Sequence, residues 1–183
     1  MTDTEEPNDH VDLVLAQWDR QCPGLDTSPM AVIGRLKRLA RLLDAELRPA
    51  FAEFGLDAPS FDMLATLRRS DPPHTLTPAQ LMQAAMVTSG AISQRLDRLE
   101  GGGLVSRTRS ATDARVVHVA LTAQGQALID RALPAHVANE NRLLAAFDTA
   151  QRAALADTLR TLLLSLGDKA PADGGRGAGQ RHA

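Results

Sequence analysis

The sequence predicts a mainly α-helical protein that carries one small β-hairpin. Apolar residues recur at helical spacing over most of the chain, and after Gly101-Gly102-Gly103 the period changes from about 3.6 residues to 2. Of the 183 residues, 44% are hydrophobic and 23% are charged, which is close to the globular average. We therefore expect one ordinary domain, or two small modules that share a core.

The first half of the chain contains three predicted helices. Residues 11–18 have apolar side chains at helical spacing and end before Pro23-Gly24. A long run from about residue 30 to 54 carries a leucine-rich stripe, and Pro49 is expected to kink or end it. Ser60 is the predicted N-cap of a third helix that extends to about residue 69.

Two closely spaced helices follow. The segment 77–80 combines an N-cap threonine, a proline at the first helical position and a capping-box glutamine, which predicts a helix start. After a short break, Thr88 or Ser89 is expected to cap a second helix. This helix runs to about Glu100 and stops at the glycine triplet.

The hairpin and two further helices complete the predicted elements. Strands are expected at 104–109 and 116–121. Thr122 is expected to cap a helix that Pro134 interrupts, and residues 148–166 form the last predicted helix.

The distribution of charge is more informative than the net charge of −2, which excludes a uniformly basic surface. Residues 1–29 carry seven acidic residues and one arginine, whereas residues 88–122 carry five arginines and three acidic residues. A nucleic-acid partner is therefore expected at the second segment. Aromatic residues are only 3%, which argues against a protein that stacks single-stranded bases.

Motifs for catalysis are absent from the sequence. It contains no phosphate-binding loop, no dinucleotide-type glycine motif and no nucleophile elbow, and its five histidines include no helical i, i+4 pair. The single Cys22 cannot form an internal disulfide or a cysteine-based zinc site. We expect a non-enzymatic protein without cofactor or metal. An acidic N-terminus and the lack of a long apolar segment lead us to expect a soluble, cytoplasmic protein.

The order helix, break, helix, glycine turn and two-stranded ribbon is that of a winged helix-turn-helix. In this arrangement the second helix (the recognition helix) lies in the major groove, and the ribbon (the wing) reaches phosphates and the neighbouring minor groove. Ile92, Leu96 and Leu99 form the predicted buried stripe of the recognition helix. A solvated surface helix is the alternative, since glutamine and arginine are ordinary on such a surface.

Residues with hydroxyl, amide, guanidinium or small side chains in this region are expected to bind DNA. They are Thr77, Thr88, Ser89, Gly90, Ser93, Gln94, Arg98, Arg107, Arg109, Asp113 and Arg115. Gln94 and Arg98 have the reach for base edges. Asp113 and Arg115 are close enough to pair and shape the wing tip, so that Arg115 enters the minor groove. A solvated charged turn is the alternative for this tip.

Several motifs between residues 76 and 125 resemble the DNA-binding core of the MarR family of transcriptional regulators. They are the opening LT…L, the run RLDRLE…GLV.R, the wing-tip DAR and the exit LT..G. Ala114 stands where many members carry a second arginine. The resemblance covers nearly all of residues 11–166. It implies a homodimer that binds a palindromic operator with half-sites roughly 34–36 Å apart.

The resemblance implies a mainly α fold with a small β wing, in which a winged helix-turn-helix is joined to a helical dimerisation domain. The expected parts are an acidic N-terminal extension (1–29), a dimerisation region (30–55 and 123–167), the winged helix-turn-helix (56–122) and a disordered Gly-rich tail (168–183).

The segment 61–69 further resembles the urate-responsive subgroup of that family. The positions that match the subgroup's effector site are Trp18, Asp62, Arg69 and Arg95. The resemblance implies a repressor that a small anion, such as urate or xanthine, releases from DNA. Each position also has a structural alternative: the macrodipole favours Asp62 and Arg69 at their helix ends, and the other two side chains can simply anchor their helices.

Two other functions remain open at this point. One is a ligand-independent architectural protein of DNA, which would show weak sequence preference. The other is a redox-sensing regulator that uses Cys22, although the chain has no tyrosine to activate such a cysteine.

Overall fold

The computed structural model describes residues 8–85, 92–110, 112–113 and 115–169. The helices and strands within those residues are α1 (His10–Gln21), α2 (Ser28–Ala52), α3 (Ala58–Arg69), β1 (Thr75–Leu76), α4 (Pro78–Ala84), α5 (Ile92–Gly101), β2 (Val105–Arg109), β3 (Val117–Leu121), α6 (Ala123–Leu143) and α7 (Thr149–Ser165). This composition confirms the predicted mainly helical fold with a small β-sheet. The chain divides into two compact units, residues 1–139 and 140–183.

The N-terminal helix α1 is longer than predicted and is fixed to α2 by charge. Asp9 caps α1, and Asp12 completes a capping box with it. Arg35 of α2 donates from Nε to Asp9 at 2.8 Å and from Nη2 to Asp12 at 2.5 Å. Val11 is buried between the two helices, against Gly34 of α2.

Helix α2 does not end at Pro49, and the predicted N-cap of α3 is wrong. Helix α2 continues through Pro49 to Ala52, because a proline near a helix end forfeits only one backbone hydrogen bond and its fixed φ fits the helix. Helix α3 is capped by Asp57, whose Oδ1 accepts from the Ser60 N–H at 2.8 Å. Ser60 therefore lies inside the first turn, where it is buried.

The sheet has three antiparallel strands in the order β1-β3-β2. Strands β2 and β3 form the predicted hairpin, with Val105 opposite Leu121 and Arg109 opposite Val117. Strand β1, which pairs with the other edge of β3, was not predicted. A strand of two residues is too short to show periodicity.

The last two helices lie close to their predicted positions, but α6 is continuous and ends at Leu143, and α7 spans Thr149–Ser165. Pro134 lies inside a continuous α6 and does not interrupt it. Asp148 caps α7 and forms a capping box with Gln151. Arg152 holds the connection between α6 and α7 by donating to the carbonyl of Leu144 at 3.0 Å. Of the predicted tail, only residues 168 and 169 are among those the structure describes.

The core lies where α3, α4, α5, α6 and the sheet meet. Its largest fully buried apolar side chains are Met63, Leu64, Leu67, Leu81, Leu96, Val105, Val119 and Ile129. The predicted stripe of Ile92, Leu96 and Leu99 is confirmed, since all three are buried in this core. Among the described helices, none combines the length and hydropathy that a bilayer crossing requires.

The start of α6 approaches the backbone of the α5–β2 connection so closely that only glycine fits. A Cβ atom on Gly125 would lie 1.9 Å from the carbonyl oxygen of Leu104. Thr122 fixes this approach, because its Oγ1 donates to the Gly103 carbonyl at 2.6 Å and accepts from the Gly125 N–H at 3.0 Å. The LT..G motif is therefore a packing motif that joins α6 to the base of the hairpin.

We predict that Gly125→Ala destabilises the fold by about 2–3 kcal/mol, because the Leu104 backbone must move. Gly101→Ala is the matched control, since a Cβ there meets nothing within 4 Å. Urea unfolding of both variants measures the difference. Equal stabilities of the two variants would contradict the close approach.

Candidate nucleic-acid interface

Helices α4 and α5 form a helix-turn-helix that packs on α3. Thr77 caps α4: its Oγ1 accepts from the Gln80 N–H at 3.2 Å, and Gln80 Oε1 accepts from the Thr77 N–H at 2.9 Å. Leu81 of α4 is fully buried and anchors this helix in the core. The predicted capping box is confirmed, and it uses the Thr77 hydroxyl within the protein.

The recognition helix α5 presents its polar side to solvent. Ser93, Gln94 and Arg98 are exposed on it, opposite the buried stripe. The Arg98 side chain is 70% exposed. Three further predicted DNA-binding residues, Thr88, Ser89 and Gly90, lie outside the described residues.

Asp57 joins α3 to the recognition helix. Its Oδ2 lies 3.5 Å from Arg98 Nη1, while its Oδ1 caps α3. Partial burial raises the pKa of Asp57. The hydrogen bonds from Ser60 and the charges of Arg95 and Arg98 together lower it by more than burial raises it, so the pKa lies below the usual value. The carboxylate therefore stays ionised and holds the N-terminus of α3 beside α5.

The wing is the β2–β3 hairpin, and its tip carries exposed arginines. Arg109 and Arg115 are both exposed. Asp113 Oδ1 accepts from the backbone N–H of Arg115 at 2.9 Å, and the Ser110 N–H donates to the Val116 carbonyl at 2.9 Å. The Asp113–Arg115 contact thus shapes the tip without using the guanidinium of Arg115.

Arg107 faces the recognition helix and is bound there by two carboxylates. Its Nε donates to Glu100 Oε2 at 2.8 Å, and its Nη2 donates to Asp97 Oδ1 at 2.7 Å. The hydrogen bonds from Arg107 hold the pKa of Glu100 below its usual value, and Glu100 raises the pKa of Arg107. The predicted DNA contact of Arg107 must therefore compete with these ion pairs.

The four predicted effector residues lie on three helices, α1, α3 and α5, and the structure brings Asp62 and Arg69 together. Asp62 and Arg69 share a face of α3, as their seven-residue spacing predicts, with Oδ1 and Nη1 3.7 Å apart. Arg69 Nη2 also donates to the carbonyl of Ala84 at the end of α4, at 2.6 Å. Arg95 is half-buried, and its charge acts on Asp57. Trp18 is 40% exposed on α1, which packs on α2.

Comparison with known proteins identifies the family. Residues 54–116 match the family model described as MarR family. The chain is 40% identical over 139 residues to the HTH-type transcriptional regulator PecS of Dickeya dadantii, an alignment that covers 76% of this chain and 84% of PecS. The chain belongs to the MarR family. This regulator is therefore a DNA-binding transcription factor and not an enzyme.

Two other similarities support this assignment. The HTH-type transcriptional repressor Rv2887 of Mycobacterium tuberculosis is 33% identical over 127 residues, which cover 69% of this chain and 88% of the repressor. The crystal structure of AbsC, a MarR family regulator from Streptomyces coelicolor, superposes with a TM-score of 0.68 at 25% identity. It covers 79% of this chain and 97% of AbsC. The predicted winged-helix fold is confirmed.

The sequence interpretation missed three acidic residues of this interface: Asp57, Asp97 and Glu100. A usable signal existed for Asp57, because an aspartate two residues before a proline is a typical helix start. Glu100 and Asp97 contact Arg107 across the glycine turn, and no local pattern indicates that contact. In the described part of the chain, no group of acidic, histidine or cysteine residues forms a metal site.

We predict that Asp57→Ala costs about 1 kcal/mol of stability, whereas Asp57→Asn keeps the N-cap and costs only a few tenths. Because the pKa of Asp57 is lowered in the fold, its charge contributes stability above the unfolded-state pKa and loses it as pH falls through the folded value. Urea unfolding at neutral pH and at a pH well below the ordinary aspartate pKa of about 3.9, where the folded carboxyl group is protonated too, measures both effects. A wild-type advantage over Asn that persists in acid would contradict the charge contribution.

Proposed function

We propose that this regulator is a repressor that binds a palindromic operator as a homodimer. The observation that carries the proposal is the exposed polar side of α5, which lies on the same winged-helix unit as the exposed arginines of the wing. In this proposal Gln94 and Arg98 contact base edges in the major groove, Ser93 positions α5, and Arg115 enters the minor groove. The assignment of Rv2887 as a repressor supports the sign of regulation.

Exposed apolar side chains support the homodimer. In the first unit, Met30, Ile33 and Leu39 of α2 are each more than 40% exposed. In the second unit, Leu163 and Leu164 of α7 are 49% and 50% exposed. Such surfaces mark interaction sites, and a two-fold interface covers the same surface on both copies. A dimer presents two recognition helices, which matches half-sites roughly 34–36 Å apart. A cytoplasmic location is part of this proposal.

We predict that Arg115→Ala weakens binding to every duplex and reduces the slope of log affinity against log salt by about 1 for each arginine removed. Gln94→Ala is the matched comparison, because it removes an exposed polar group without a charge. It is expected to leave the slope unchanged and to relax base preference at a few operator positions. Fluorescence anisotropy at several salt concentrations and selection from a random duplex pool measure both effects.

The salt slope and the selected consensus separate the two roles. An unchanged slope for Arg115→Ala contradicts the wing contact. An unaltered consensus for Gln94→Ala contradicts base readout by that side chain.

We infer further that a small planar anion binds near Asp62, Arg69 and Arg95 and releases the DNA. The contacts of Arg69 support this: it bridges Asp62 of α3 and the carbonyl of Ala84 at the end of α4. An anion that binds Arg69 and Arg95 changes the contacts of both helices of the helix-turn-helix, so it has differential affinity for two arrangements of α5. Trp18 supplies a stacking surface when α1 contributes to the site.

We predict that urate or xanthine dissociates the wild-type complex with DNA, and that Trp18→Phe and Arg69→Ala bind DNA but lose the response. Arg68→Ala is the control, because the neighbouring arginine pairs with Asp130 of α6 at 2.7 Å and lies outside the proposed site. A DNA-binding titration with each purine measures the response. Complete insensitivity of the wild type to both purines removes the purine assignment and leaves the DNA-binding function intact.

A further inference from the structure

The wing is attached to the recognition helix by one cluster of charged residues, the Arg107 clamp, which consists of Arg107, Glu100 and Asp97. Glu100 makes two kinds of contact: its Oε2 accepts from the Arg107 guanidinium, and its Oε1 accepts from the Arg107 backbone N–H at 3.0 Å. Strand β2 is an edge strand of the sheet, so this backbone N–H belongs to its unpaired side. Glu100 therefore binds both the side chain and the edge of β2.

The contacts of Arg107 distinguish it from the other arginines of this surface. Its side chain is only 30% exposed, and two carboxylates accept from it. Arg109 lies two residues further along β2, on the same face of the strand, and is exposed. Arg107 is thus held by contacts within the protein, whereas Arg109 is exposed to solvent nearer the tip of the hairpin.

The Arg107 clamp lies next to the short connection between α5 and β2. The connection from α5 to β2 is only three residues long, and the Leu104 N–H donates to the Leu99 carbonyl at 2.9 Å. Gly103 adopts a φ of +69°, a conformation that glycine accepts without strain. A turn this short sets the position of β2, and the clamp sets its direction relative to α5.

We propose that Glu100 and Asp97 are positioning residues for DNA recognition: through Arg107 they set the direction in which the wing leaves α5. Arg115 then reaches the minor groove while α5 occupies the major groove. The proposal rests on the proposed function, because it assumes that both elements contact one duplex. It assigns to two acidic residues a role that favours binding to a polyanion.

Electrostatic repulsion alone predicts that Glu100 and Asp97 weaken DNA binding. Two carboxylates beside a DNA-binding helix repel phosphates, so the removal of one should strengthen binding to any duplex. The positioning role predicts that the same removal weakens binding to the duplex that the wild type selects, because the wing no longer holds Arg115 at the minor groove. The sign of the change therefore separates the two explanations.

The test is a double-mutant cycle of Glu100→Ala and Arg115→Ala. Alanine is a good helix former, so α5 is retained, and circular dichroism and native mass check fold and assembly. Dissociation constants are measured for the duplex that the wild type selects from a random pool and for a scrambled duplex. We expect Glu100→Ala to weaken the selected duplex about three- to tenfold, with the scrambled duplex bound equally well or better.

The cycle also measures coupling. Arg115→Ala is expected to cost less in the Glu100→Ala background than in the wild type, by about threefold or more. Arg107→Lys, which keeps the charge but loses the two-pronged geometry, should reproduce part of the Glu100→Ala effect. Stronger binding of both duplexes by Glu100→Ala, or equal costs of Arg115→Ala in both backgrounds, overturns the proposal.

Failure of the proposed function is distinguishable from failure of the clamp. If the wild type selects no duplex, or if Arg115→Ala has no effect in it, the proposed DNA contacts are wrong. The clamp is then tested in the DNA-free protein by backbone order parameters of the strand residues 105–109 and 117–121. We expect them to fall from the rigid range near about 0.85 when Glu100 is replaced by alanine. Unchanged order parameters overturn the clamp itself.

Discussion

The ion pairs of Arg107 with Glu100 and Asp97 join helix α5 to the β2–β3 hairpin in this MarR family regulator. A recognition helix and a hairpin that moved independently would each lose conformational entropy on binding, and a rigid pair avoids that cost. The buried stripe of α5 fixes one side of the pair, and the contact of Gly125 with Leu104 fixes the base of the other. The exposed arginines Arg98, Arg109 and Arg115 lie on these two joined elements.

Acidic residues have structural roles in the winged-helix unit, where they lie beside arginines in a chain whose net charge is −2. Asp57 caps α3 and lies beside Arg98, and Asp113 shapes the wing tip through a backbone N–H. Arg69 donates to the Ala84 carbonyl of α4 and Asp57 pairs with Arg98 of α5, so α3 and its N-cap contact both of these helices. A ligand that alters α3 therefore has a direct physical route to α5.

Local signals predicted the elements that local interactions determine. The capping box at Thr77 and the apolar stripe of α5 depend on residues three or four apart, so the sequence sufficed for them. Pro49 was expected to kink or end α2 and Pro134 to interrupt α6, but neither helix ends at its proline, since a proline removes only its own backbone donor from the helix. The role of Arg107 was not predictable, since its partners on α5 reach it only after the glycine turn folds back.

The most direct test of this account is an NMR titration of the 15N-labelled protein with the duplex that it selects. Arginine Nε–H signals report each guanidinium separately. The account predicts large shifts for Arg98 and Arg115, with broad changes in the amides of α5 and the wing tip. The Arg107 Nε–H, bonded to Glu100 at 2.8 Å, should remain nearly unchanged. Large shifts of Arg107 together with silent Arg98 and Arg115 signals would contradict the division between clamped and DNA-contacting arginines.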